Sequence, residues 1–386
     1  KKFNNFKFNI LKNNIKKEID FVIISPGINA KKCELKKFLK LNKQKIITDL
    51  DIFYLENIHN TKITITGTNG KSTTAKLLYE VLKNQNKDVR LVGNIGKPVL
   101  LEKNINKNTI FVIEASSYQI EYSRYFKTDH AMILNISPDH LERHQNIYNY
   151  VNAKFKLILR QDSKGYAYVN KKNKYLRNKI QSSNVKSKLI NVNLDNLKIL
   201  EKKITNPYLK NVNNLSNLSF VIMFGKKNKL NKKKIIQTAN SFRGLKYRQE
   251  IVFQNKHLTI INDSKSTSFS SSFNLLKSYR NIYWLVGGIP KKGDKFILQK
   301  KYLKNINAYI YGLKNIFFKK QFKNKIKFQT FFNLQKALYK ILKDIKNNNI
   351  DNPTILFSPS AASFDMFKNF EERGKYFNNL IKSKIL

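Results

Sequence analysis

Apolar residues along this chain fall into short β-branched runs separated by stretches with helical spacing. Ile63 and Ile65 sit in such a run at 62–66 and predict a buried strand; Leu77, Leu78, Val81 and Leu82 then recur with the period of a helix's buried face. Upstream, residues 20–25 (DFVIIS) predict a strand stopped by Pro26-Gly27, residues 45–48 a second strand, and residues 51–55 the start of a helix. Strands are also predicted at 89–92, 109–113 and 131–135, with helical patterns between them. From residue 244 onward the alternation resumes, with strands at 258–262, 282–287, 308–311 and 354–358 and helices at 270–277, 334–345 and 366–381. Such alternation argues for an α/β protein with mostly parallel sheets, whose ligands bind at the carboxyl ends of the strands. Residues 171–234 are rich in Asn and Lys and show no clear period. The expected organisation is three blocks, 1–56, 57–243 and 244–386, without an internal repeat.

Composition changes this picture little. At 386 residues with 41% hydrophobic, the chain has ample length for real cores. It holds 74 Lys and Arg against 25 Asp and Glu, a net charge of +49 that would ordinarily raise nucleic acid as a partner. The basic residues are mostly Lys, spread along the whole chain among Asn and Ile, so the balance reads as chain-wide drift and no nucleic-acid partner is expected. Cys33 is the single cysteine, which excludes a disulfide framework within the chain. No apolar run approaches the length of a membrane span and no signal-peptide pattern opens the residues, so no membrane association is expected and a cytoplasmic location is.

The chemistry concentrates after the 62–66 strand. GTNGKS, residues 67–72, lies between that strand and the helix, the context in which a phosphate loop is credible. Glycines let backbone N–H groups converge on an anion, and the helix N-terminus adds positive potential at the same point. Lys71 would reach the β/γ-phosphates, and the Ser72 hydroxyl would hold Mg²⁺. A plain strand-to-helix turn is the competing reading. Glu114 follows a strand and precedes Ala-Ser-Ser, well placed for Mg²⁺ or, more blandly, for capping the next helix. Asp139-His140 is delivered beyond the 131–135 strand, although a lone histidine is more often structural. Lys154 lies in an apparent helix, one lysine among many; His59, His130, His144 and His257 have no comparable context.

Together GTNGKST, EASSYQIE, LNISPDHLERH and the later NAK resemble the ATP-binding core of the Mur ligases, a core shared with folylpolyglutamate synthases. INDSKSTS (261–268), GGIPKKGDKF (287–296) and SPSAASFDMFKNFEERGKYF (358–377), with SPGI at 25–28 and GNIG at 93–96, are similar to the D-glutamate-adding branch of that family. The resemblance implies three domains: an incomplete Rossmann-like N-terminal domain, a central P-loop ATPase-like domain and a C-terminal Rossmann-like α/β domain. It implies ligation of D-glutamate to UDP-N-acetylmuramoyl-L-alanine through an acyl phosphate, with ATP and two Mg²⁺, by a monomer in cytoplasmic peptidoglycan precursor synthesis.

Residue by residue, the resemblance implies that Gly67, Thr68, Asn69, Gly70, Lys71, Ser72, Thr73, Asn217, Arg248 and Asp263 bind ATP. Ser72 and Glu114 would hold one Mg²⁺, and His140 a second. Lys154 matches a lysine that the family carries as a carbamate, a further metal ligand, and Asn94 a contact near the γ-phosphate and acyl group. Ser25, Pro26 and Gly27, with Thr48-Asp49, would line the uridine-diphosphate substrate's pocket. Lys265, Thr267, Ser363, Phe364 and Phe370 would face the substrates, and Lys291 or its neighbour Lys292 would grip the glutamate side chain; for the two Phe, plain core is the alternative. Asn213-Asn214 replaces the usual His-Asn, Ser268 an Asn, Ala361 a Cys and Phe364 a Leu. The family's glycine-rich uridine-diphosphate turn is not among these residues, and the chain opens on Lys1, so a preceding segment is expected. Other amino-acid-adding Mur ligases, a nucleic-acid-binding ATPase and a decayed protein are the competing functions.

Overall fold

The computed structural model describes residues 19–193, 195, 202–210, 212–348 and 350–384. Two compact units divide the chain, Lys1–Ser241 and Phe242–Leu386.

In the first unit, β1 (Val22–Ile23), α1 (Lys36–Leu41), β2 (Ile46–Ile47) and α2 (Asp49–Glu56) form a small parallel βαβα piece. Next come β3 (Thr61–Thr66), α3 (Lys71–Lys83), β4 (Val89–Gly93), β5 (Ile110–Glu114), α4 (Ser117–Tyr122), β6 (His130–Ile133), α5 (Leu141–His144), α6 (Ile147–Leu159), β7 (Tyr166–Val169), α7 (Lys174–Gln181), β8 (Lys188–Asn191), α8 (Val212–Lys227) and α9 (Lys232–Ser241). The strands lie side by side as β4-β5-β3-β6-β7-β8, each pair parallel. Ile63, Ile65, Val112, Ile113 and Met132 are fully buried, as expected of a parallel sheet covered on both faces. β3 leads through α3 to β4 on one side, while β5 leads through α4 to β6 on the other, so a crevice opens between their carboxyl ends.

The second unit comprises β9 (Glu250–Gln254), β10 (Thr259–Asn262), α10 (Phe269–Ser278), β11 (Ile282–Gly287), α11 (Lys300–Leu303), β12 (Ile306–Tyr311), α12 (Asn315–Phe322), β13 (Lys327–Phe331), α13 (Leu334–Asn348), β14 (Thr354–Phe357) and α14 (Phe370–Lys384). Its order is β13-β12-β11-β14-β10-β9, parallel except for β9 against β10. Trp284, Phe269, Phe296 and Phe322 form an aromatic cluster under one face.

Most predicted elements appear, and the differences have local causes. The last helix starts at Phe370 rather than 366, because the Met366 and Phe367 amides both donate back to the Ser363 carbonyl and turn the chain there. The aperiodic stretch holds α7, β8 and α8; Lys174 and Asn178 of α7 are exposed, and in α8 the polar Asn214 and Asn217 are themselves buried, so neither helix shows a clean apolar face in sequence. β13, KFQTF, is a half-exposed edge strand and shows no apolar run.

Asp51 on α2 is fully buried and ties the small N-terminal piece to the large sheet. Oδ2 accepts from the backbone N–H and hydroxyl of Thr48, closing a capping box. Oδ1 accepts from the Ser123 hydroxyl and the backbone N–H groups of Arg124, Tyr125 and Phe126 at 2.7–3.0 Å. Asp51→Ala would strand these donors in the interior, each lost buried partner costing roughly 1–3 kcal/mol. The variant is expected to lose at least about 3 kcal/mol in urea denaturation, with Asp51→Asn losing clearly less because it keeps an acceptor.

Candidate active site

β3 delivers the loop and α3 begins on its far side, so residues 67–70 bend around the crevice mouth. Gly70 caps α3 in the left-handed region at φ 84°, and a Cβ there would stand 2.2 Å from Asn217 Oδ1 on α8. Only glycine fits the turn while Asn217 lies against it. Asn135 braces the loop from outside, accepting from the Asn69 N–H and donating to the Asn69 carbonyl. Thr68 is held by the Ser137 N–H and by Tyr150 Oη at 3.1 Å, and Thr73 lies 3.3 Å from Tyr208 Oη. Ser72 is buried in the first turn of α3.

Two amines meet on this loop. Lys71 Nζ donates to the carbonyls of Gly67 (3.0 Å) and Thr68 (2.9 Å), and Lys154 Nζ on α6 donates to the same Gly67 carbonyl at 2.9 Å and to Thr66 Oγ1 at 3.3 Å. Lys154 is 2% exposed, and burial first, then the charge of Lys71, holds its amine well below the ordinary lysine range; Asp139 and Glu114 oppose the shift. Glu114 ends β5, buried, with Oε1 accepting from Asn94 Nδ2 at 2.8 Å and Oε2 without a hydrogen-bond partner. Among the described residues no three His, Cys, Asp or Glu cluster as a metal site.

His140 takes the left-handed region at φ 53°, which turns the chain into α5. Its Nε2 is 3.4 Å from Asp139 and its Nδ1 3.7 Å from Glu142, and its ring meets Tyr118 edge-on. Lys71, Asn94, His140, Tyr150 and Lys154 share the wall of one cavity of about 440 Å³ with Pro26, Gly27 and Tyr118. Arg143 and His144 were not singled out by sequence. The Arg143 guanidinium donates to the carbonyls of Pro26 and Gly27, both at 3.3 Å, and lies over the Tyr118 ring. His144 Nε2 is 3.0 Å from Ser117 Oγ, with Nδ1 3.8 Å from Glu121. Thr48 is fully buried under Asp51 and does not line this cavity; Asp49 is half-buried.

A family model described as the Mur ligase middle domain matches residues 65–231. UDP-N-acetylmuramoylalanine--D-glutamate ligase of Rickettsia prowazekii (strain Madrid E) is 34% identical over 397 residues, covering 98% of this chain and 88% of that protein. The chain belongs to the Mur ligase family. The protein of the same name from Francisella tularensis subsp. novicida (strain U112) is 33% identical, covering 94% of this chain and 85% of its own. Among solved structures, the MurF ligase of Thermotoga maritima in complex with ADP superposes with a TM-score of 0.61 at 15% identity, covering 90% of this chain and 92% of that one. UDP-N-acetylmuramate-alanine ligase MurC of the same organism gives 0.58 at 18%, covering 94% and 85%. At such identities the likeness shows the Mur ligase fold, α/β with a central parallel sheet and a further C-terminal sheet.

The second unit of this Mur ligase places the remaining candidates. Asp263, just past β10, is buried and accepts from the Gln249 N–H and from Ser358 Oγ; burial pushes its carboxyl up to about 7 against the pull of those donors and of Arg248. Lys265 Nζ lies 3.9 Å over the Phe370 ring, while Thr267 is exposed. Ser363 is buried; Phe364 is 70% exposed, so it is no core residue, and Phe370 is half-buried. Lys291 is half-buried and its charge reaches the Asp294 carboxyl, whereas Lys292 is exposed. The Asn213 side chain lies outside the described residues.

His144 allows a test of this electrostatics. Burial, then Lys154, His140 and Arg143, lower its pKa from 6.5 to about 4. The unfolded chain takes up this proton near 6.5 and the folded protein does not until about 4, so stability is lost as pH falls across that window. Buried His130, also lowered to about 4, acts in the same direction. Urea midpoints measured from pH 7 to 4.5 are expected to fall, and to fall less steeply in His144→Gln.

Proposed function

We infer that this chain joins D-glutamate to the carboxyl of UDP-N-acetylmuramoyl-L-alanine, with ATP cleaved to ADP and phosphate, in peptidoglycan precursor synthesis. The names of its relatives support the reaction, and the two lysine amines converging on the phosphate loop carry the chemistry. Among the described residues no helix is long and apolar enough to cross a membrane. On this reading, residues 1–56 belong to the uridine-substrate domain, 57–243 form the ATP domain and 244–386 the D-glutamate domain, and the enzyme works as a cytoplasmic monomer.

A carboxylate is a poor acyl donor because oxide would have to leave. In the first step its oxygen attacks the γ-phosphorus and ADP departs, forming an acyl phosphate. Both reactants are anionic, so the site must neutralise their repulsion. Lys71 leaves the Gly67 and Thr68 carbonyls for the phosphates, the α3 N-terminus faces the same charge, and Asn94 orients Glu114. The D-glutamate amine then attacks the acyl carbon, loses a proton, and phosphate leaves the tetrahedral intermediate.

Mg²⁺ would supply further charge neutralisation; Glu114, whose buried Oε2 has no hydrogen-bond partner, and Ser72 would hold it, since Mg²⁺ commonly takes one or two carboxylates plus phosphates. His140 would serve a second ion. Burial disfavours the charged form of Lys154, which favours the free lone pair that adding CO₂ requires; an N–C bond would form, a proton would leave, and the buried amine would become a carboxylate-like ligand. In the second unit, Arg248 and Asp263 would meet the nucleotide, and Lys265, Thr267, Lys291, Ser363, Phe364 and Phe370 would surround D-glutamate.

Phosphate release is expected to require D-glutamate and to fail with L-alanine, L-lysine or meso-diaminopimelate; turnover with one of these instead refutes the branch assignment. Lys71→Ala is expected to lose about 10³-fold or more in turnover, as for a principal charge stabiliser. With ¹³C-bicarbonate, a carbamate resonance is expected in the intact enzyme and absent from Lys154→Ala, whose activity short carboxylates should partly restore.

A further inference from the structure

We propose that Arg373 is a positioning residue for D-glutamate, fastening together the two loops of the second unit that would surround that substrate. The proposal rests on the functional reading above. Arg373 lies in the opening turns of α14 and is 1% exposed. Its Nε donates to Ser264 Oγ at 3.1 Å, and its Nη2 donates to the carbonyls of Ser264 (2.7 Å) and Ala361 (2.9 Å). Ser264 directly precedes Lys265, and Ala361 stands two residues before Ser363. One planar guanidinium thus spans the loop after β10 and the loop after β14.

Neighbouring contacts fix the helix that carries it. Ser264 Oγ donates to the Phe370 carbonyl at 2.9 Å, and Asn262 Nδ2 donates to the Gly374 carbonyl at 2.9 Å. Gly374 is needed for close approach, since a Cβ there would stand 2.4 Å from the Tyr247 ring. The Tyr247 carbonyl in turn accepts from the Lys265 N–H, and Tyr247 precedes Arg248. The first turns of α14 therefore set where Lys265, Phe370 and Ser363 stand relative to one another.

The choice of arginine points beyond a simple staple. The three acceptors of Nε and Nη2 are neutral, and the buried Tyr311 phenol is a further polar neighbour of the guanidinium. Asp263 and Asp365 lie within electrostatic reach of the charge. A lysine could offer the charge but not the fork that reaches two loops at once. Arg373 so holds a fixed positive charge behind the place where a dicarboxylate amino acid would bind.

Steady-state kinetics on the full chain test this, with D-glutamate and ATP varied separately and the melting temperature recorded. Arg373→Lys is expected to raise KM for D-glutamate about tenfold or more, since small displacements of positioning groups cost that much. KM for ATP should change by less than about threefold, and guanidinium ion should partly rescue Arg373→Ala. Ser264→Ala, which removes the acceptor of Nε and the donor to the Phe370 carbonyl while Nη2 keeps both its carbonyls, should shift KM for D-glutamate in the same direction by a smaller factor. It decides the matter should Arg373→Lys fail to fold. Wild-type turnover with unchanged D-glutamate KM in the folded variants overturns the proposal alone. Equal rises in both KM values alongside a lower melting temperature also overturn it, leaving Arg373 a staple. Absence of D-glutamate-dependent turnover in the wild type overturns the functional reading and this proposal together.

Discussion

Two lysine amines donate to a single backbone oxygen, the Gly67 carbonyl, and the arrangement of the first unit depends on how that crowding is tolerated. Lys71 lines the cavity at the crevice and donates to the Gly67 and Thr68 carbonyls. Lys154 comes off α6, its side chain almost wholly buried. Two full charges on one carbonyl, one of them desolvated, would cost far more than the hydrogen bonds return. Burial, and then the charge of Lys71, therefore disfavour the ammonium form of the inner amine and hold it well below the ordinary lysine range.

The same crevice depends on parts far apart in sequence. The loop after β3 brings the glycines, β5 ends on Glu114, and the turn after β6 brings His140, because the parallel sheet sets its strand ends in a row. Asp51 gathers four donors from 123–126 onto one oxygen and so pins the N-terminal piece against the turn that leaves α4. Arg143 does the corresponding work at the cavity, holding the 26–27 carbonyls from the turn that also bears His140.

Legibility in sequence tracked locality. The phosphate loop could be read because strand, glycines, Lys-Ser and helix are contiguous, and Glu114 because it closes an apolar run. Lys154 could not be distinguished from dozens of other lysines, since its distinction is burial against Gly67, a contact 87 residues away along the chain. Arg143 and Arg373 stand within recognisable motifs, yet their roles lie in carbonyls contributed by distant turns. The Asn/Lys-rich stretch concealed α7, β8 and α8 because polar residues, exposed in α7 and partly buried within α8 at Asn214 and Asn217, blur the periodicity that fully buried Leu176 and Leu218 carry.

The most direct test is the protonation state of the Lys154 amine. Enzyme carrying lysine labelled with ¹³C and ¹⁵N at the side-chain terminus, kept free of CO₂, can be titrated by NMR, with the resonance assigned by its loss in Lys154→Met. The account predicts an amine that titrates well below the ordinary lysine value of 10.5; a resonance that titrates near 10.5 would contradict it.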